Sequence, residues 1–209
     1  MVAQQKPRDV RAHTTMSEYD DNCAGCDISR GVDRPRGGVL RLAGGWLVNQ
    51  YGGSEGFLGW LALQPDEHRL ALSALTTIEQ RALGEHLVAL DRALAAYWKH
   101  TFPADPLEQV YFTFFYESRF DEPDPASDPS MPYHIHIHVI PRTQHAGRLL
   151  RENHSGTSII NAWQVWRLKE SIPSKYRRPP GNEEWDAAAK LMGGLKDLLP
   201  ESSFLPPAE

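Results

Sequence analysis

The spacing of apolar and polar positions divides this chain into short strands, one long amphipathic helix and a second helix near its end. Residues 39–43 and 46–50 flank Gly44-Gly45, the signal of a two-residue hairpin. Gly52-Gly53 turns the chain into a third strand over 57–64, which stops at Pro65. Thr76-Thr77-Ile78-Glu79 has the form of a capping box opening a helix. Leu83, Leu87, Leu90, Leu94 and Trp98 then recur every three or four residues as one apolar stripe, until Pro103 and Pro106 end the helix. The aromatic run 110–116 is a fourth strand. The fifth, 134–140, reads His-Ile-His-Ile-His-Val-Ile and is closed by Pro141.

That last run has the period of a half-buried strand. Ile135, Ile137 and Val139 face the core, and His134, His136 and His138 line the opposite face. Same-face residues sit roughly 6.5–7 Å apart, so the three imidazoles form a ladder about 13 Å long. That is too long for all three to hold one ion. Near the end of the chain Asn182 is placed to cap a helix, with Glu183 and Glu184 in its first turn. Trp185, Ala188, Met192, Leu195 and Leu199 form the apolar face of that helix. The expected fold is α+β: a five-stranded antiparallel sheet, a long helix crossing it and a helical C-terminal extension. Residues 1–20 read as a disordered tail, 21–145 as the domain, and 146–209 as the extension, packing on the core or on a partner chain.

Composition narrows the function classes. A chain of 209 residues with 41% hydrophobic and 23% charged residues has room for one generous domain. With 22 basic and 27 acidic residues the net charge is −5, which argues against nucleic acid or an anionic membrane as partner. No apolar run approaches a membrane span and the N-terminus has no hydrophobic signal core, so the expected location is the cytoplasm. The Asp- and Pro-rich stretch 119–131 between the last two strands is long enough for a lid or a substrate-selecting loop. His13, His86, His100, His145 and His154 read as surface residues.

Three histidines in register are hard to explain as packing, because Asn, Thr or Lys would solvate that face without groups titrating near neutrality. Two His at i and i+2 can chelate one ion, or each ring can do a separate job. The chain's two cysteines, Cys23 and Cys26, lack the preceding strand and following long helix of a thioredoxin-type pair. Their spacing is also half of a tetrahedral zinc site, which histidines elsewhere could complete.

The run 134–140 followed by Pro141-Arg142 resembles the signature of the histidine-triad (HIT) superfamily, and other segments agree in order. Cys23-Ala24-Gly25-Cys26-Asp27-Ile28 is similar to the zinc-binding Cys-x-x-Cys of many members. Leu47-Val48-Asn49 resembles the strand whose Asn or Asp approaches the nucleotide. Pro65-Asp66-Glu67-His68 resembles the segment carrying a zinc-ligand His. Residues 178–191 are similar to the last helix of diadenosine-polyphosphate hydrolases.

The resemblance implies that His136 is the nucleophile, that His138 contacts the phosphoryl oxygens, and that Asn49 contacts the substrate. It implies a structural Zn²⁺ held by Cys23, Cys26, His68 and His134. The implied function is a nucleotide phosphoanhydride or phosphoramidate hydrolase, or nucleotidyl transferase, working through a nucleotidyl-His136 intermediate. A homodimer, common in the family, would be supported by Trp163, Trp166 or the last helix. The alternative is a zinc-stabilised module that binds a nucleotide or phospho-ligand without turnover. The rim departs from the family: Gly59-Trp60 stands where many members have Gly-His, 128–133 lacks the usual glycines and Gln, and Tyr116-Glu117 replaces a Gln.

Overall fold

A computed structural model describes residues 23–51, 58–114, 134–144, 148 and 182–204. The tail 1–20, the stretch 119–131, Tyr116-Glu117, Trp163, Trp166 and the histidines at 13, 145 and 154 lie outside the described residues. Five strands form one antiparallel sheet: β1 (Val39–Leu42), β2 (Trp46–Gln50), β3 (Leu61–Pro65), β4 (Leu107–Thr113) and β5 (Ile137–Thr143). Their order is β1-β2-β3-β5-β4, so β5 is interior, between β3 and β4. Among the described residues the helices α1 (Ala24–Arg30), α2 (Thr77–Thr101) and α3 (Asn182–Leu198) accompany the sheet. The architecture is α+β. Among the described residues, no helix is long and apolar enough to cross a membrane.

The capping box is present: the Thr76 hydroxyl accepts from the Glu79 N–H, and the Glu79 carboxylate accepts from the Thr76 N–H at 2.6 Å. Trp46 fixes this end of α2 to β2 by donating its indole N–H to the Glu79 carbonyl at 2.9 Å. Leu90, Leu94 and Trp98 are buried against Val48, Leu61, Leu63, Ile137 and Val139, with Leu83 and Leu87 packed at the margin. On α3, Ala188, Leu191, Met192 and Leu195 are buried, and the helix packs on α2 and touches β1 and β2. The Trp185 side chain lies outside the described residues.

Several boundaries differ from the expectation. Leu42 pairs with Trp46, so the hairpin loop has three residues and Ala43 leaves the ladder. Its N–H goes to the Ser203 carbonyl and its carbonyl to the His86 ring. β3 begins at Leu61 and β4 at Leu107. β5 begins three residues later than the histidine pattern suggests and runs on through Pro141. Pairing with β3 ends at Val139, and Pro141 continues only opposite Val110 on β4, so no N–H is needed on its β3 side. Residues 137–141 are buried on both faces, which corrects the half-buried strand. The reason is tertiary: Ile137 and Val139 pack on the α2 core, and Trp60 and Tyr51 cover His138 on the other face.

His86 is also corrected, from a surface residue to one that is 2% exposed, donating Nε2–H to Ala43 O at 2.8 Å. Burial lowers its pKa from the usual 6.5, outweighing the carbonyl that favours the charged ring. A base with a depressed folded pKa leaves the unfolded chain holding more protons as pH falls below about 6.5. Stability is therefore full above that pH and declines as pH drops toward the folded value. In His86→Gln, which keeps a donor for Ala43, thermal melts across this range will show a flatter decline than wild type. Equal slopes would contradict this reading.

Candidate functional site

Cys23, Cys26, His68 and His134 come together from three places in the chain, all buried, with their ligating atoms within 4.8 Å of one another. Cys23 caps α1 and Cys26 lies in its first turn, so one short helix aims both thiols the same way. The Gln64 side chain on β3 holds that turn, donating to Gly25 O at 2.9 Å. His68 follows β3, and His134 precedes β5, where Ile135 N–H donates to Arg69 O at 2.8 Å.

Sγ of Cys26 is 3.2 Å from Nδ1 of His68 and 3.7 Å from Nδ1 of His134, which is 3.6 Å from Sγ of Cys23. Donors about 2.1–2.3 Å from a tetrahedral ion stand roughly 3.4–3.8 Å apart; the two spacings to His134 fall in that range and the Cys26–His68 spacing is slightly shorter. His134 Nε2–H donates to Pro65 O at 3.0 Å, which leaves Nδ1 with its lone pair toward the thiols. Burial raises the Cys23 pKa to about 11 and lowers that of His134 to about 4. A thiol proton held that firmly is displaced by a metal rather than lost to water.

Gly25 is required by space. A Cβ there would lie 2.6 Å from Cγ and Nδ1 of His134. In Gly25→Ala the ring must shift off the ligand position, and metal affinity will fall roughly 10- to 100-fold, as when a ligand loses its orienting partner. Competition with a chromophoric chelator measures this, and unchanged affinity would refute the packing account.

The other two histidines form a separate pair. His136 and His138 have ring centroids 4.6 Å apart and their Nε2 atoms are 3.1 Å apart, so these rings lean together instead of standing as rungs of an even ladder. The hydrogen bonds fix every proton. His136 Nδ1 is 2.9 Å from the His134 carbonyl, an acceptor only, so Nδ1 carries the hydrogen and Nε2 the lone pair. Trp60, a donor only, gives its indole N–H to His138 Nδ1 at 3.0 Å, so His138 carries its hydrogen on Nε2 and points it at His136 Nε2. Both rings are neutral in this arrangement. His138 is buried and His136 is half-buried, so the accepting nitrogen, His136 Nε2, belongs to the more open ring.

Around the pair, Tyr51 stacks on Trp60 at 5.7 Å, lies nearly parallel to His136 at 6.2 Å, and meets His138 edge-on at 4.7 Å. Gly59 makes this wall possible. Its φ is +86°, and a Cβ would lie 2.5 Å from the Trp98 ring and 2.9 Å from Pro141.

Register sets Asn49, Ala62, His138 and Thr113 in one row across β2, β3, β5 and β4, hence on one face of the sheet. Ala62 keeps the space between Asn49 and His138 low. Asn49 donates Nδ2–H to Gln50 O at 2.9 Å, while its Oδ1 and the Thr113 hydroxyl are buried with no hydrogen-bond partner among the described residues. Buried acceptors left open beside a reactive pair are suited to a ligand's donors.

Sequence reasoning passed over Tyr51, Thr113 and the bond made by Trp60. Tyr51 follows β2 and Thr113 ends β4, and only strand register shows that Thr113 lies opposite His138. Gly59-Trp60 stood out as a departure, and only the fold shows the indole turned onto His138. Comparison of the chain with protein-family models, with curated proteins and with solved structures finds no match, so its assignment rests on the geometry of these two clusters.

Proposed function

We propose that this chain is a HIT-type enzyme that cleaves a nucleotide phosphoanhydride or phosphoramidate through a covalent nucleotidyl-His136 intermediate, with hydrolysis as the favoured outcome. The observation that carries the reading is the ordered pair. A half-buried imidazole has one nitrogen tied to a backbone carbonyl, and the other presents its lone pair to a neutral N–H donor at 3.1 Å. A neutral imidazole is a competent nucleophile near pH 7 and, once phosphorylated, a good leaving group.

In the first step the His136 Nε2 pair forms a bond to the α-phosphorus, and the bond from phosphorus to the departing group breaks with its electrons. The positive charge that develops on the ring is spread toward Nδ1–H, whose hydrogen remains on the His134 carbonyl. His138 Nε2–H, released from His136 Nε2, donates to a phosphoryl oxygen and stabilises its charge. In the second step water attacks the same phosphorus, loses its proton to solvent or phosphate, and His136 leaves as the neutral ring. Two displacements retain configuration at phosphorus. Asn49, in the row with His138, is assigned to the substrate.

The Cys23, Cys26, His68 and His134 set is closed and buried, the form of a structural zinc site, and zinc is the ion we assign to it. When bound it braces the segment that leads into β5 and takes no part in the chemistry. Turnover on a panel of dinucleoside polyphosphates, nucleoside phosphoramidates and nucleotide sugars, with the stereochemistry at phosphorus, tests the reading. Retention supports it. Tight nucleotide binding with no turnover would favour the non-catalytic zinc-stabilised module.

A further inference from the structure

We infer that Trp60 locks His138 as a neutral N–H donor that cannot act as a general acid, which directs the site toward substrates whose leaving group departs as an anion. The inference rests on the proposed reaction for its catalytic consequence, and on geometry alone for the lock itself. Trp60 is wholly buried, and its indole N–H lies 3.0 Å from His138 Nδ1. An indole nitrogen has a hydrogen to give and no pair to receive one. For His138 to become an imidazolium, Nδ1 would have to take a proton while facing that N–H, losing the bond and setting two hydrogens against each other.

The ring is held from other sides as well. Tyr51 meets it edge-on at 4.7 Å, and the Trp60 ring itself stands at 83° to it. Gly59 N–H donates to the Gln50 side chain at 3.0 Å, and the Trp60 carbonyl takes the Tyr51 N–H at 2.7 Å, which fixes the backbone that presents the indole. Rotating the imidazole to exchange its nitrogens would break the bonds to both Trp60 and His136.

The consequence concerns the bond that breaks. If His138 gave up its only hydrogen it would be left as an imidazolate, so it donates a hydrogen bond without releasing the proton. A phosphate or pyrophosphate group leaves as an anion and needs no proton. An amine leaving from a phosphoramidate must be protonated on nitrogen, and His138, held between Trp60 and His136, has no proton to release. The substrate class that fits is therefore a nucleoside phosphoanhydride.

The test combines nitrogen NMR of the histidine-labelled, metal-loaded full chain with rates on a matched phosphoanhydride and phosphoramidate of one nucleoside. At neutral pH the wild-type His138 ring should show an unprotonated Nδ1 and a protonated Nε2, and the anhydride should be the faster substrate. Trp60→Phe, or an isosteric benzothienylalanine at position 60 that keeps the ring shape without the N–H, should convert His138 to a mixture of forms. In either variant the phosphoramidate-to-anhydride ratio of kcat should rise about tenfold, the size of one hydrogen bond, with KM for the two substrates moving together. A protonated His138 Nδ1 in the wild-type protein would overturn the lock, as would an unchanged His138 signature in the isosteric variant. If neither substrate turns over, the proposed reaction fails while the NMR signature still decides the lock.

Discussion

Replacing His136 with alanine will reduce turnover roughly 10⁴- to 10⁶-fold, the range expected when a covalent nucleophile is lost. The loss should appear in kcat with little change in nucleotide binding, because the ring makes its decisive bond only during reaction. His138→Ala will cost less, about 10²- to 10⁴-fold, since it removes one donor to the phosphoryl oxygens and leaves the nucleophile in place. The ordering follows from the hydrogen bonds. His136 is the half-buried ring and presents the lone pair of Nε2, whereas His138 is buried and holds its nitrogens between Trp60 and His136. Both variants should keep their metal, because neither ring belongs to the Cys23, Cys26, His68 and His134 set. A His136→Ala protein within tenfold of wild-type kcat, or one that has lost its metal, would contradict this division of labour.

Removing the metal is the second large effect, and it will be read in stability. The four ligands tie α1, the segment after β3 and the segment before β5 to one point. Metal that binds only the folded chain, at a free concentration about a thousand times its Kd, adds about 4 kcal/mol. In a chain of this size that corresponds to roughly 8–16 °C in Tm. Chelation, or Cys26→Ser, should therefore lower Tm by about that amount, and elemental analysis of the untreated protein should give about one zinc per chain. Activity should fall as well, because His134 offers both a ligand nitrogen to the metal and the carbonyl that holds His136 Nδ1–H. Lowering the pH will also release the metal, since protons compete for thiolate and imidazole. A chelated protein with unchanged Tm would remove the structural role.

Much of this was legible in the order of residues. The capping box and leucine stripe of α2 are local patterns, set by contacts within four residues, and they appear where expected. The alternation through His138 likewise gave a strand, which starts at Ile137. What could not be read was what covers that strand. The α2 side chains cover one face of β5, Trp60 and Tyr51 cover His138 on the other, and Pro141, a natural stop for an isolated pattern, is carried inside the strand because its β3 side has no ladder bond to make. His86 stands four residues before Leu90, on the buried flank of α2, and what the order of residues did not show was its partner, the carbonyl that Ala43 offers on leaving the hairpin ladder. The spacing of His134, His136 and His138 suggested an even ladder, whereas side-chain rotation sends the first ring to the thiols and folds the other two together. The Trp60 bond spans residues 60 and 138, and no local pattern encodes it.

The central claim is that one imidazole, His136, becomes bonded to phosphorus during turnover. The most direct measurement is rapid acid-free quench of the metal-loaded protein with a dinucleoside polyphosphate, followed by peptide mass spectrometry. We predict a single nucleotidyl adduct, on His136, that forms within the first turnover and decays when substrate is exhausted. Turnover that proceeds with no adduct, or with the adduct on another residue, would contradict the account.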